Sequence, residues 1–122
     1  MLKGALRTAR YARSWAAGAD VVSEETEIAR GDAVVGATLV FPRAAREPLP
    51  GWIALGGISC MGRHHPQLVR FTRALASSGA VVLVPEVPEW RRLQLAPEAV
   101  AATLTGCVEH LRERRCVSGD GL

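Results

Sequence analysis

Apolar and polar residues alternate with two different periods along this chain, and the changes of period mark its elements. From Val22 to Arg30 the alternation is loose, with Ile28 the strongest inward-facing candidate, and a second strand-like run follows from Ala33 to Phe41. Gly31-Asp32 lies between them as a short turn, so the two runs predict an antiparallel hairpin. Pro42 has no N–H to give to a ladder and ends the second strand. Three prolines and mixed charge then make 42–51 a surface loop.

After the breaker Pro50-Gly51 comes the apolar run Trp52-Ile53-Ala54-Leu55, followed by a loop holding Gly56, Gly57 and Gly62. Pro66, whose fixed φ suits a first helical position, opens a helix. Leu68, Phe71 and Leu75 recur along it at helical spacing, and Gly79 stands where a left-handed cap belongs. Ala80 to Val84 is apolar throughout, so strand, glycine loop, helix and strand form one βαβ unit of an α/β protein. The stretch from Pro85 to Pro97 is punctuated by proline and predicts a loop, with Trp90 over the sheet edge and Glu86 and Glu89 solvated. A last helix opens with Pro97 and with Glu98 in its first turn, where negative charge suits the helix dipole. Its apolar face is Val100, Leu104, Cys107, Val108 and Leu111. Arg112, Arg114 and Arg115 close it, and 116–122 breaks the helix.

Residues 1–19 stand apart. Lys3, Arg7, Arg10 and Arg13 occur before the first acidic residue, Asp20, while Leu2, Leu6 and Ala9, with Tyr11 and Trp15, supply an apolar side. This is an amphipathic helix. It reads either as a surface helix beside the sheet or as an arginine-rich targeting segment, and its scarcity of serine favours the first. The chain thus divides into an N-terminal amphipathic helix, 1–19, and an α/β domain, 20–122.

Composition narrows the function without naming one. A length of 122 residues allows a single domain. Fifteen basic against twelve acidic residues leave a net charge of +3, too small a bias to predict a nucleic-acid partner. Aromatic content of 5% offers no stacking platform for single strands. No apolar run approaches the roughly 18 residues of a membrane helix. The three cysteines are odd in number and lack C-x-x-C spacing. They read as free thiols, hence as a cytoplasmic protein.

The stretches Ala37-Thr38-Leu39-Val40-Phe41-Pro42, Ile53-Ala54-Leu55-Gly56-Gly57, Leu68-Val69-Arg70-Phe71 with Ala74-Leu75-Ala76, and Gly79 to Pro85 resemble, in pattern and order, the first half of an α/β-hydrolase. The resemblance is to the dienelactone-hydrolase-like or acyl-hydrolase kind. The resemblance covers roughly residues 20 to 118 and implies a partial three-layer α/β sheet and attack on a small ester-like substrate. In that family a later strand carries the G-x-S-x-G elbow, with the acid and histidine after it. The resemblance therefore implies that nucleophile, acid and base lie beyond residue 122, and that this chain is an N-terminal part without its triad. One family feature falls inside the chain, the loop whose backbone N–H groups help form the oxyanion hole. Gly57 matches its glycine, Ile58 and Ser59 would present the amides, and Gly56 stands where the family has histidine. The same glycines also serve a plain structural purpose, a tight strand-to-helix turn.

Other candidate chemistry is weaker. Ser59 lies between a strand and a helix as an elbow serine does, but Met61 occupies the place of the second small residue that lets helix and strand pack closely. Cys60 reads as a small buried hydrophobe. His64 lies within one loop of Ser59 and lacks an evident orienting carboxylate, so His64 and His65 read as solvated residues at a helix start. No zinc spacing occurs, so no metal is expected. Gly57 to Gly62 has the outer spacing of a phosphate loop, yet Arg63-His64 stands where Lys-Ser/Thr is required, and no dinucleotide motif is present, so no cofactor is expected. In the resembling fold the strand at Trp52 is central. With its further neighbours absent it becomes an edge, which predicts a marginal chain that aggregates or self-associates through that edge.

Overall fold

A computed structural model of the chain describes residues 20–43, 48–56 and 61–113. The helix expected over 1–19, the loop residues 57–60 and Cys116 lie outside these described residues. Among the described residues there are four strands: β1 (Val21–Arg30), β2 (Ala33–Pro42), β3 (Gly51–Ile53) and β4 (Val81–Pro85). They form one sheet in the order β1-β2-β4-β3. β1 and β2 pair antiparallel from Val21↔Pro42 to Arg30↔Ala33, which is the hairpin expected around Gly31-Asp32. β2 runs antiparallel to β4, with Leu39 opposite Leu83, and β3 runs parallel to β4, with Trp52 opposite Val82.

Among the described residues three α-helices accompany the sheet: α1 (Pro66–Ser77), α2 (Pro88–Arg91) and α3 (Pro97–Arg112). Pro66 and Pro97 occupy the first turns of α1 and α3, as their fixed φ predicts. The cap of α1 is a histidine: His65 Nδ1 accepts from the N–H of Gln67 at 3.2 Å. Gly79 follows α1 with φ 109, a conformation open to glycine.

β4 explains the layering. All five of its residues are buried, and its side chains alternate between two cores. On one face Val81 and Leu83 join Ile28, Val35, Ala37 and Leu39 against Cys107 and Leu111 of α3. On the other, Val82 and Val84 join Val21, Val40, Ala54 and Ala80 against Ala76 of α1, with Leu68 and Leu75 beside them. A strand covered by helices on both sides must be apolar on both sides, so it reads as a continuous run rather than an alternation. Helix, sheet and helix make the three-layer α/β arrangement.

Four expectations need correction. The stretch from Pro85 to Pro97 contains α2, a single helical turn opened by Pro88. α1 buries Thr72, Ala74 and Ala76 and leaves Phe71 exposed, because small residues let the helix lie close to the sheet. α3 likewise buries Thr103 and Gly106 beside Cys107 and Leu111, while Val100, Leu104 and Val108 are half-buried. Finally, Glu86 and Glu89 are not solvated: their side chains are 9% and 13% exposed, and each is held by arginine.

Candidate active-site edge

β3 and β4 are parallel, so their carboxyl ends open on the same edge of the sheet, the edge where open α/β sheets place their ligands. The hairpin reaches that edge as well. Ala37 of β2 pairs with Pro85 at the end of β4, and the N–H of Glu86 donates to the carbonyl of Gly36 at 2.8 Å. The chain leaving β3 returns to this edge through the 3₁₀ turn Gly62–His64 before entering α1. Three separate stretches therefore meet at one place.

Arg63 joins them. Its Nη1 donates to Glu86 Oε2 at 3.1 Å, its Nη2 to Glu25 Oε2 at 2.8 Å, and its Nε to Thr38 Oγ1 at 3.2 Å. Its backbone N–H also donates to Glu86 Oε2, at 3.0 Å. The Thr38 hydroxyl donates in turn to Glu25 Oε1 at 2.9 Å. Burial works against the Arg63 charge, but the hydrogen bonds to Glu25 and Glu86 outweigh it and hold the guanidinium above its ordinary value. The same bond from Arg63 leads the causes that hold Glu25 below the usual carboxylate value, against a smaller opposing effect of burial.

Two glycines make room for this arrangement. Gly62 has φ 60, and a Cβ there would lie 2.2 Å from Glu86 Oε1. A Cβ at Gly36 would lie 3.1 Å from Arg63 Nη2. Glu86 Oε1 has no hydrogen-bond partner among the described residues, and Arg91 Nε stands 3.4 Å away to balance its charge. A second charge pair flanks the first. Arg30, at the end of β1, donates through Nη1 to both carboxylate oxygens of Glu89 on α2, the longer contact being 3.0 Å.

The oxyanion-loop residues Gly57, Ile58 and Ser59, and Cys60 after them, fall outside the described residues. What the structure describes is the frame on either side: Ala54, whose N–H donates to Leu83 O at 3.0 Å, and the turn at Gly62. His64 is exposed on that turn and borders a cleft of about 120 Å³ with Thr38, Glu25 and Arg63, floored by Val40 and Val84. Ligand pockets commonly measure about 300–1,000 Å³, so this cleft alone is too small to enclose an ester substrate. Among the described residues no group of three or more His, Cys, Asp or Glu side chains is placed to hold a metal ion, and no helix is long and apolar enough to cross a membrane.

Reading the sequence misses Arg63, Glu25 and Thr38. Arg63 figures there only as the residue that spoils a phosphate-loop motif. The one usable signal is positional, a charged residue directly after a glycine and another, Glu86, directly after a buried strand.

No family model and no curated protein matches the chain. Solved structures do. A Klebsiella pneumoniae protein assigned as a dienelactone hydrolase superposes with a TM-score of 0.66 at 22% identity, over 84% of this chain and 48% of its own. A bacterial brefeldin A esterase, a homologue of human hormone-sensitive lipase, superposes with a TM-score of 0.63 at 18% identity, over 93% of this chain and 36% of its own. A fungal esterase from Rhizomucor miehei gives 0.58 at 20% identity, over 91% and 36%. At these identities the likeness is one of fold, and the chain spans less than half the length of each. The chain has the α/β-hydrolase fold, in the form of its N-terminal part.

Proposed function

We propose that this chain forms the oxyanion side of a serine-type hydrolase acting on ester-like bonds. On this reading the loop at Gly57 would supply the backbone N–H groups of Ile58 and Ser59 to the charge that develops on the carbonyl oxygen. Each such donor lowers the barrier by about 3–4 kcal/mol. Nucleophile, acid and base come from residues outside these 122, and the chain by itself turns over nothing. One observation supports the reading: residues 54–56, directly after β3, leave the sheet at the carboxyl ends of the parallel strands, in a fold shared with esterases.

Hydrolysis of p-nitrophenyl acetate and butyrate tests it. The chain alone is expected to be inactive, and the chain extended through its downstream coding sequence, including a G-x-S-x-G, to be active. Turnover by the chain alone that disappears in Ser59→Ala would replace this reading with Ser59 as the nucleophile.

A second reading is favoured by the edge. Among the described residues β3 pairs only with β4, and Trp52 on it is 52% exposed. A non-catalytic module that associates with its own copies through β3 would cover that surface.

A further inference from the structure

We propose that Arg63 is a positioning residue, the latch that holds the turn Gly62–His64, and with it the entry to α1, against the hairpin and the end of β4. The inference rests on the hydrolase reading for its purpose and on described residues for its geometry. A strand-to-helix connection is ordinarily oriented by its own turn and by helix packing. Here it is also tied from two sides by charge. Glu86, directly beyond β4, takes both the backbone N–H and the Nη1 of Arg63 on one carboxylate oxygen. Glu25 and Thr38, on the hairpin, take Nη2 and Nε.

The guanidinium fork suits this task because its donors leave in fixed, coplanar directions; a lysine reaches one acceptor well and not three. With Arg63 only 17% exposed and Glu86 only 9%, solvent does little to weaken the contact between them. The hairpin thereby acquires a role beyond pairing at the far side of the sheet: Glu25 and Thr38 hold Arg63 against Glu86. Gly36 and Gly62 belong to the device, since a Cβ at Gly62 would overlap the Glu86 carboxylate and one at Gly36 would press on the guanidinium.

Native-state amide hydrogen exchange by NMR tests the proposal without depending on hydrolase activity. Two variants perturb the latch by different routes. Arg63→Lys keeps the charge and loses the fork, while Gly36→Ala leaves every charged group in place and pushes on the guanidinium. In both, exchange at the amides of residues 63 and 65 is expected to rise at least about tenfold, the mark of an easier local opening. The amides of Leu39 and Val82, inside the sheet, are expected to stay within about twofold of their original rates. Unchanged rates at 63 and 65, or an equal rise at Leu39 and Val82, would overturn the latch, the second outcome reducing Arg63 to a general stabiliser. Absence of ester turnover from every form of the protein would instead remove the hydrolase reading and leave the exchange pattern standing.

Discussion

Gly106 sits where α3 crosses β1, and a Cβ there would lie 1.9 Å from the carbonyl oxygen of Ala29. That oxygen belongs to the backbone of a paired strand and cannot swing aside. In an open helix, alanine in place of glycine would stabilise by roughly 0.5–1 kcal/mol. Here the sign reverses: Gly106→Ala is expected to cost about 3 kcal/mol, the upper range for overpacking, measured as a lower urea midpoint. Its neighbour Cys107 is fully buried, and burial pushes its thiol up to about 12. The thiolate is the reactive form, so iodoacetamide at pH 8 is expected to leave Cys107 unmodified in the folded chain and to modify it in urea. Peptide mapping by mass spectrometry separates it from Cys60 and Cys116.

Between elements, the pair Arg30–Glu89 ties the end of β1 to α2 across 59 residues of sequence. The hydrogen bond from Arg30 holds the Glu89 carboxyl below its ordinary value of 4.5, with burial opposing, and Arg63 does the same for Glu25. A carboxylate that binds its proton more weakly when folded stabilises the fold above its unfolded value. That contribution is complete above pH 4.5 and disappears as the pH falls through the lower, folded value. Stability is therefore expected to decline on acidification below 4.5. In Glu89→Gln part of that decline should vanish, together with about 1 kcal/mol of stability at neutral pH. Urea titrations of both forms across the acid range measure the difference.

For the molecule as a whole, the two borders of the sheet differ in character. β1 carries Glu24, Glu25 and Glu27, exposed charges of the kind that discourage strand addition. β3 carries exposed Trp52 and has one partner strand among the described residues. If copies of the chain meet through β3, sedimentation velocity is expected to show concentration-dependent association, weakened in Trp52→Lys, since an edge lysine opposes pairing. A monomer at all concentrations would count against association through this edge.

The order of apolar and polar residues by itself determined the kinds of element and most of their limits. The hairpin around Gly31-Asp32, the helix starts at Pro66 and Pro97 and the buried strand before Pro85 all follow from local period and from residues with restricted backbone angles. Which helix residues meet the sheet was less legible. Thr72, Thr103 and Gly106 are buried because close approach of helix to sheet rewards small size, which a search for apolar spacing overlooks. The site was hardly legible at all. Arg63 lies 38 residues from Glu25 and 23 from Glu86, so no local pattern encodes their contact. Only the tertiary structure decided it, by bringing the hairpin, the end of β4 and the turn before α1 to one edge. There the burial of Arg63 and Glu86 makes an isolated charge costly and their pairing necessary, while Glu25 adds its contact from the exposed side.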